Sequence, residues 1–369
     1  MKTVLLTLCL FFSIAALAVD ENPITLKIGE KAPAFNLKGI DGKQYTLTSF
    51  KDSKFLVLVF TCNHCPTAQA YEDKLITFQN KYKSKGVRLV AINPNSDKSV
   101  RFDELGFSDL NDSYPEMKIR AKDKKYNFTY LYDGDLQAAA KAYGPSTTPQ
   151  VFVFDQKRIL QYVGRIDNDE HLGKATVFDL DAAVNQLIAA KPVEVSSTKT
   201  FGCSVKWMYK NEWKDKEVSS WKEEPVLLEK IDLEGMKTIM KNGSGKYRLI
   251  NFWATWCGPC VGEMSSLVES DKMYRAREFE LITVTLDSEK ATEKALGLLK
   301  KKVASNKNYI FGDGDKYALI EAVDPSWQGA LPHTILIDND GKVVFRQSGM
   351  INILELRRAI VDKIGRVYP

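Results

Sequence analysis

The sequence predicts an α/β protein built from two domains of the same architecture, each with a mixed central sheet flanked by helices. Three observations support this prediction. The chain has 369 residues, enough for two domains of about 150 residues each. An apolar run, a Cys-x-x-Cys pair and a helix pattern follow one another twice, with Cys62 and Cys257 about 195 residues apart. Alternating strand and helix patterns then end on a strand hairpin, which makes the sheet mixed.

Composition and charge describe a globular chain without a strong electrostatic bias. Hydrophobic residues make up 44% of the sequence, which argues against a disordered chain. The net charge of +5 is spread along the chain, and its densest basic patch, residues 300–302, lies at the end of a predicted helix. A solvated helix end explains that patch, so nucleic-acid binding is not predicted.

The first 18 residues have the features of a secretory signal peptide. Lys2 precedes an apolar run over residues 4–16, and an A-x-A cleavage signal ends at Ala18. The run is too short for a comfortable membrane span, so we expect an exported protein, periplasmic or secreted, without stable membrane insertion. Cleavage removes Cys9 and leaves two Cys-x-x-Cys pairs and the single Cys203 in a compartment that permits disulfides.

The first domain is predicted over residues 25–190. Phe55–Phe60 is a continuous apolar run, typical of a strand buried on both faces, and it leads directly into the first Cys-x-x-Cys pair. The other predicted elements are a turn at 39–42, helices at 68–82, 136–143 and 180–190, and strands at 87–92, 151–154 and 159–163.

The second domain is predicted over residues 222–369 and repeats this order. Its other predicted elements are an apolar strand at 249–253, a helix from about residue 258, strands at 279–286, 334–337 and 343–347, and a last helix at 353–364. Residues 191–221 form a linker segment whose tryptophans we assign to packing. Cys203 in this segment is either a third redox thiol or a small buried hydrophobe, and we favour the buried hydrophobe.

Cys257 and Cys260 are the main catalytic candidates. The predicted helix places Cys257 at its N-terminus, where unpaired backbone N–H groups and the helix dipole favour the thiolate, and Pro259 is tolerated in this first turn. We therefore assign Cys257 as nucleophile and Cys260 as resolving thiol for dithiol exchange. The alternative is a zinc site in which the two pairs supply all four cysteine ligands, but each pair follows its own strand and precedes its own helix.

The string Tyr247–Glu263, YRLINFWATWCGPCVGE, resembles the thioredoxin superfamily, and its FWATWC part is similar to the TlpA/ResA branch in particular. The first domain resembles the redoxin or AhpC/TSA-like group, through the same order of elements around its Cys-Asn-His-Cys pair. Together the resemblance covers nearly all of the chain after the signal peptide. It implies two thioredoxin-like folds with thiol–disulfide chemistry.

The resemblance implies further site residues. Pro332 and Pro149 stand where thioredoxin-like folds carry a cis-proline beside the disulfide; the alternative is an ordinary trans proline at the start of an edge strand. Glu263 matches the active-site glutamate of ResA-like proteins, which would exchange a proton with the buried thiol. Its alternative role is a solvent-facing residue near the helix N-terminus. Asn251 stands where ordinary thioredoxins have a buried aspartate.

Histidines are scarce in this chain, with three in all. His64, directly before Cys65, resembles the histidine of the C-x-H-C motifs in protein disulfide isomerase and DsbA, where it would attract the Cys62 thiolate. For His333 we prefer a role on the strand surface, and His171 has no motif around it.

The predicted function is thiol–disulfide exchange by an exported protein through both cysteine pairs, without an organic cofactor. Cysteine-containing exported proteins are the expected partners, together with an upstream thiol reductant, and electrons are expected to pass from the second pair to the first. One alternative is a thiol peroxidase, although the motif P-x-x-x-T-x-x-C has Leu58 and Cys62 in place of its proline and threonine. Another is copper(I) binding by Cys62, His64 and Cys65.

Overall fold

The computed structural model describes residues 23–171 and 173–368. The signal-peptide prediction, with Cys9 and the cleavage site near Ala18, falls outside these residues. The predicted fold class is confirmed, because two domains each surround a mixed sheet with helices.

The first domain contains a seven-stranded sheet. Its strands and the short strand β6 are β1 (Asn36–Gly39), β2 (Gln44–Thr46), β3 (Phe55–Phe60), β4 (Val87–Asn93), β5 (Thr129–Tyr132), β6 (Thr147–Thr148), β7 (Gln150–Phe154) and β8 (Leu160–Gly164). Its helices are α1 (Pro66–Tyr82), α2 (Tyr114–Asp123), α3 (Ala138–Tyr143) and α4 (Asp179–Ile188). The sheet order is β2-β1-β5-β4-β3-β7-β8, with β3, β4 and β5 parallel.

Both faces of this sheet are covered, which explains the continuous apolar run of β3. Val57 enters the hydrophobic cluster beneath α1 and α4, whereas the next residue, Leu58, enters the cluster on the opposite face. Each such fully buried side chain contributes about 1.5–3 kcal/mol. An alternating pattern would have left one face of the strand in water.

The second domain contains a six-stranded sheet in the order β10-β13-β12-β11-β14-β15. Its strands are β10 (Glu229–Lys230), β11 (Tyr247–Trp253), β12 (Phe279–Thr285), β13 (Lys307–Ile310), β14 (His333–Ile337) and β15 (Val343–Ser348). Its helices are α6 (Leu233–Lys241), α7 (Gly258–Tyr274), α8 (Thr292–Lys301), α9 (Lys316–Val323) and α10 (Ile353–Ile364). Strands β10 to β13 run parallel to β11, and β14 and β15 form the antiparallel hairpin expected from the sequence.

The segment between the domains, residues 191–221, contains β9 (Cys203–Ser204) and α5 (Asn211–Trp221). Strand β9 pairs with β6, so this segment is attached to the first domain. Trp207 packs into a core cluster of that domain and Trp221 is buried, whereas Trp213 is exposed.

The two domains share an interface at the C-terminal end of α7. Val100 and Leu105 of the first domain belong to one hydrophobic cluster with Tyr274 of the second. The Tyr274 hydroxyl also donates to the carbonyl oxygen of Ser108 at 2.7 Å. Asp109, close by, accepts hydrogen bonds from arginines on and just after α10.

No helix within residues 23–171 and 173–368 is long and apolar enough to cross a membrane.

Candidate functional site

The second-domain cysteine pair lies where β11 ends and α7 begins. Cys257 is the N-cap of α7, and its sulfur accepts a hydrogen bond from the backbone N–H of Cys260 at 3.3 Å. The two cysteines form a disulfide. Cys260 is fully buried, Cys257 is 7% exposed, and the neighbouring Trp256 is 70% exposed. Cys257 is therefore the more exposed residue of this pair, and it lies at the helix N-terminus predicted from the sequence.

Glu263, three residues after Cys260, is buried and does not face solvent. Its carboxylate accepts hydrogen bonds from the Asn251 side-chain amide at 3.0 Å and from the Ile351 backbone N–H at 2.8 Å. Burial raises the pKa of Glu263 above its ordinary value, although these two hydrogen bonds oppose the shift. The solvent-facing alternative for Glu263 is therefore wrong.

Both predicted cis-prolines are confirmed, since Pro332 and Pro149 each follow a cis peptide bond. Pro332 directly precedes β14, whose first residue, His333, pairs with Phe252 in β11. This register places Pro332 beside the end of β11, where the cysteine loop begins.

His333 is buried, so the predicted strand-surface role is wrong. Its ring stacks on Trp327 with centroids 4.6 Å apart, and its Nδ1 lies 2.8 Å from the Ser348 hydroxyl. Burial lowers the pKa of His333 to about 4, because the nearby Asp324 carboxylate compensates only in part. The ring is therefore neutral near pH 7.

Asp287 is a buried residue of this site that sequence analysis missed. Its carboxylate accepts hydrogen bonds from the backbone N–H and the hydroxyl of Thr255, both at 2.9 Å. These contacts fix the loop just before Cys257. A lone aspartate two residues after a strand gave no local signal of this role.

The first-domain pair differs in its position relative to the helix. Helix α1 begins at Pro66, so its N-cap is Cys65, the second cysteine of the pair. In the second domain the N-cap is Cys257, the first cysteine. The expectation that the two loops share one geometry is therefore wrong, and proline explains the difference: Pro66 follows the pair, and proline favours the first helical turn.

His64 pairs with a buried aspartate. It is fully buried, and its Nδ1 lies 2.6 Å from Asp112 Oδ2. Burial alone would lower the pKa of His64, but the charge and hydrogen bond of Asp112 raise it. Asp112 also accepts hydrogen bonds from the backbone N–H groups of Asn63 and His64, so it holds the whole cysteine loop.

The thiol with the lowered pKa in this domain is Cys65. Burial opposes its ionisation, but hydrogen bonds from the Cys203 and Cys62 thiols, the charge of His64 and the Ala68 backbone N–H hold the pKa of Cys65 well below its ordinary value. Burial raises the pKa of Cys62 well above the ordinary value. The charge of His64 thus acts on Cys65, and the predicted attraction of a Cys62 thiolate by His64 stays a prediction.

Thr148, just before Pro149, contacts both first-domain cysteines. Its hydroxyl lies 3.3 Å from Cys62 Sγ, and its carbonyl oxygen lies 3.3 Å from Cys65 Sγ. Cys203 packs against the same pair. The three cysteines thus meet beside the cis-proline.

The two cysteine sites lie far apart in space. Cys257 begins α7, and Tyr274 ends it 17 residues later, which corresponds to about 25 Å of helix. Tyr274 contacts Ser108, whose hydroxyl lies 3.4 Å from the carbonyl oxygen of Asn63 in the first-domain cysteine loop. One site is therefore near the domain interface, and the other is about a helix length away.

One group of side chains in the described residues has the spacing of a metal site. Single ligand atoms of Cys62, His64 and Asp112 lie within 4.8 Å of one another. Nε2 of His64 is buried and has no hydrogen-bond partner among residues 23–171 and 173–368.

Family models match both domains. Residues 28–163 match the AhpC/TSA family, and residues 225–358 match the Redoxin family. These two matches support thioredoxin-like folds in both halves of the chain.

The chain is also similar to characterised oxidoreductases. It is 34% identical over 137 residues to the thiol-disulfide oxidoreductase ResA of Bacillus cereus, covering 37% of this chain and 75% of that protein. It is 28% identical over 165 residues to the thiol:disulfide interchange protein DsbE of Yersinia pestis, covering 43% and 76%. A crystal structure of a hypothetical protein from Sinorhizobium meliloti matches with 32% identity and a TM-score of 0.45, covering 50% of this chain and 96% of that one.

Proposed function

The chain belongs to the ResA family of thiol-disulfide oxidoreductases, and from this premise we propose that it is an exported enzyme that exchanges disulfides with cysteines of other exported proteins. The proposal of export rests on the signal-peptide pattern of residues 1–18. Thiol–disulfide exchange uses the sulfur atoms of the protein alone, so the proposal includes no organic cofactor.

The observation that carries this proposal is the Cys257–Cys260 disulfide at the start of α7, with Cys257 as its more exposed residue. In the reduced protein, the Cys257 thiolate attacks one sulfur of a client disulfide, and the other client sulfur leaves as a thiolate. Cys260 then attacks the sulfur of Cys257, which releases the second client thiolate and closes the protein disulfide. Two electrons pass from the protein to the client.

Glu263 is the proposed proton acceptor for Cys260. The two residues are three positions apart on α7, a spacing that places side chains on the same helix face. Cys260 is fully buried and must lose its proton to attack, so it needs a base inside the domain. A buried carboxyl with a raised pKa suits this transfer better than an ordinary glutamate.

For the first domain we propose exchange at Cys62 and Cys65, with electrons arriving from the second-domain pair of another molecule. The helix-length separation of the two sites supports transfer between molecules, because exchange requires the sulfur atoms to touch. The lowered pKa of Cys65 supports a first-domain pair that is stable in its reduced form.

Reduction of insulin disulfides by the purified protein, with dithiothreitol as reductant, tests the main proposal. We expect Cys257→Ser to abolish the second-domain activity and Cys260→Ser to accumulate a mixed disulfide between Cys257 and insulin. A Cys62→Ser, Cys65→Ser double variant is the matched control and should keep the second-domain activity. Undiminished turnover in Cys257→Ser would contradict the proposed site.

A thiol peroxidase is a second candidate function, favoured by the AhpC/TSA match over residues 28–163. The peroxidatic motif is absent around Cys65, and Cys65 is fully buried, which leaves a peroxide little access. Consumption of hydrogen peroxide by the reduced protein distinguishes this candidate, because the disulfide-exchange proposal predicts no turnover.

Copper(I) binding is favoured by the close group of Cys62, His64 and Asp112. Soft thiolate and imidazole ligands suit this ion, and Cys65 lies beside them. Metal analysis of protein loaded with copper(I) under reducing conditions tests it. Two results together would favour a metal-binding role for this domain. The protein would bind stoichiometric copper that is lost in Cys62→Ser, and the first domain would show no disulfide exchange.

A further inference from the structure

Cys203 is held at the first-domain cysteine pair by specific backbone geometry. Strand β9 pairs antiparallel with β6, and the register places Cys203 opposite Thr148. Gly202 has a φ of +131°, and a Cβ atom there would lie 2.2 Å from the Thr148 carbonyl oxygen. Only glycine allows this close approach. The backbone thus brings residue 203 to the loop that also contacts Cys62 and Cys65.

The three thiols differ in their access to solvent. Cys65 is fully buried and Cys62 is 3% exposed, whereas Cys203 is only partly buried. Cys203 also packs directly against the buried pair. A protein thiol approaching from solvent can therefore reach Cys203 more readily than either cysteine of the pair.

We propose that Cys203 is a third redox-active thiol, through which the buried Cys62–Cys65 disulfide exchanges electrons with dithiol proteins. This inference rests on the proposed disulfide exchange of the first domain. It replaces the buried-hydrophobe interpretation of Cys203 that we favoured from the sequence.

The proposed reaction has two steps. First, the Cys203 sulfur attacks Sγ of Cys65 in the oxidised pair as its proton passes to Cys62; the Cys203–Cys65 bond forms and the Cys62–Cys65 bond breaks. No electrons enter or leave. Second, a dithiol protein attacks Cys203 and releases Cys65 as a thiolate, and its second thiol then displaces Cys203. Two electrons pass from the dithiol, which becomes a disulfide.

Tyr368 of the second domain provides a further contact at Cys203. Its hydroxyl lies near the Cys203 thiol, and its ring packs on Phe107 of the first domain with centroids 5.0 Å apart. Burial and the nearby Cys203 and Cys65 thiols raise the pKa of Tyr368 to about 12. The phenol therefore stays protonated and can donate a hydrogen bond to a thiolate at Cys203.

The test uses the full chain with Cys257→Ser and Cys260→Ser, so that only the first domain exchanges disulfides. We add Cys62→Ser, oxidise with diamide, block free thiols and map disulfide peptides by mass spectrometry. The expected result is a Cys65–Cys203 disulfide. Its absence from a variant that keeps the thermal unfolding transition of its parent would overturn the inference.

A rate measurement complements this cross-link. In the oxidised chain, Cys203→Ser is expected to slow reduction of the Cys62–Cys65 disulfide by reduced thioredoxin about tenfold or more, with a much smaller effect on reduction by dithiothreitol. Ser204→Ala, on the same strand, is the matched control. Equal slowing with both reductants, or no slowing, would assign Cys203 to packing and overturn the inference.

The chain with Cys257→Ser and Cys260→Ser, which keeps all three first-domain cysteines, separates this inference from the proposed function. If it forms no Cys62–Cys65 disulfide on oxidation, the proposed exchange in the first domain fails, and the inference fails with it. If that disulfide forms and is reduced normally, but neither variant behaves as expected, only the role of Cys203 is lost.

Discussion

The side-chain amide of Asn251 donates a hydrogen bond to the Glu263 carboxylate at 3.0 Å, and both side chains are buried. Because Asn251 cannot titrate, Glu263 is the titratable member of this pair.

We expect Glu263→Gln to lower kcat/KM for insulin reduction about tenfold to a hundredfold near pH 7. Burial raises the pKa of Glu263, and a base must be ionised to accept a proton, so native activity should rise as the pH rises through this pKa. The variant should lose that rise. Glu269→Gln, on the same helix, is the control, and an unchanged pH profile in Glu263→Gln would remove its proposed role.

Cys257 should be the more reactive thiol of the reduced second-domain pair. It caps α7, where backbone N–H groups favour a thiolate, and Cys260 is fully buried. Alkylation at mildly acidic pH, followed by peptide mapping, should label Cys257 well before Cys260. Equal rates, or faster labelling of Cys260, would reject the assignment of the nucleophile.

Asp112→Asn should weaken the thiolate of Cys65. The Asp112 carboxylate raises the pKa of His64, and the charge of His64 helps to lower the pKa of Cys65. Without the carboxylate, the imidazole loses its charge at lower pH, so we expect the pKa of Cys65 to rise. Thiolate absorbance of the reduced protein measures this shift, with the exposed Asp103→Asn as control. An unchanged titration would contradict the coupling.

His333 should make the second domain sensitive to acid. Its pKa is about 4 in the folded chain, below the ordinary value of 6.5, so the stability that its neutral form contributes is fully present above pH 6.5 and is lost as the pH falls toward 4. We expect a loss on the order of 1–3 kcal/mol over this range. Urea unfolding at several pH values measures it, and His333→Phe should flatten the dependence. His171→Gln is the control; if it gave the same flattening, the assignment would fail.

The first-domain pair should be the more oxidising of the two. Pairs of the Cys-Gly-Pro-Cys kind lie near −270 mV, whereas their C-x-H-C relatives lie at about −180 to −120 mV. A stabilised Cys65 thiolate favours the reduced form and agrees with this order. Glutathione titrations of two full chains, each with one pair replaced by serines, should give a gap on the order of 100 mV. A first-domain pair that is more reducing than Cys257 and Cys260 would end the relay hypothesis.

The elements that the sequence predicted well are those with strong local patterns. The strand Phe55–Phe60 and the helix Ile353–Ile364 match the structure at both ends, because one is apolar throughout and the other has a regular apolar face. Helices α2, α5, α6 and α9 and strands β5 and β13 were not predicted. Strands β5 and β13 have only four residues each, too few to give a clear period.

The site residues that were predicted are those whose role follows from their position along the chain. Cys257 as helix cap and both cis-prolines are confirmed. Asp112 was missed because it meets His64 across 48 residues, and no local pattern reports such a contact. Cys203 reaches Thr148 across 55 residues through the pairing of β9 with β6. The start of α1 directly after Cys65, by contrast, could have been inferred from the proline at position 66.

Helix α7 separates the two cysteine sites by about 25 Å of rigid structure. Joining the domains in one chain therefore does not shorten the path between their sulfur atoms, and collisions between molecules would set the rate of any transfer from one to the other. What the shared chain secures is stoichiometry: each molecule supplies one centre of each kind, so neither can become scarce relative to the other.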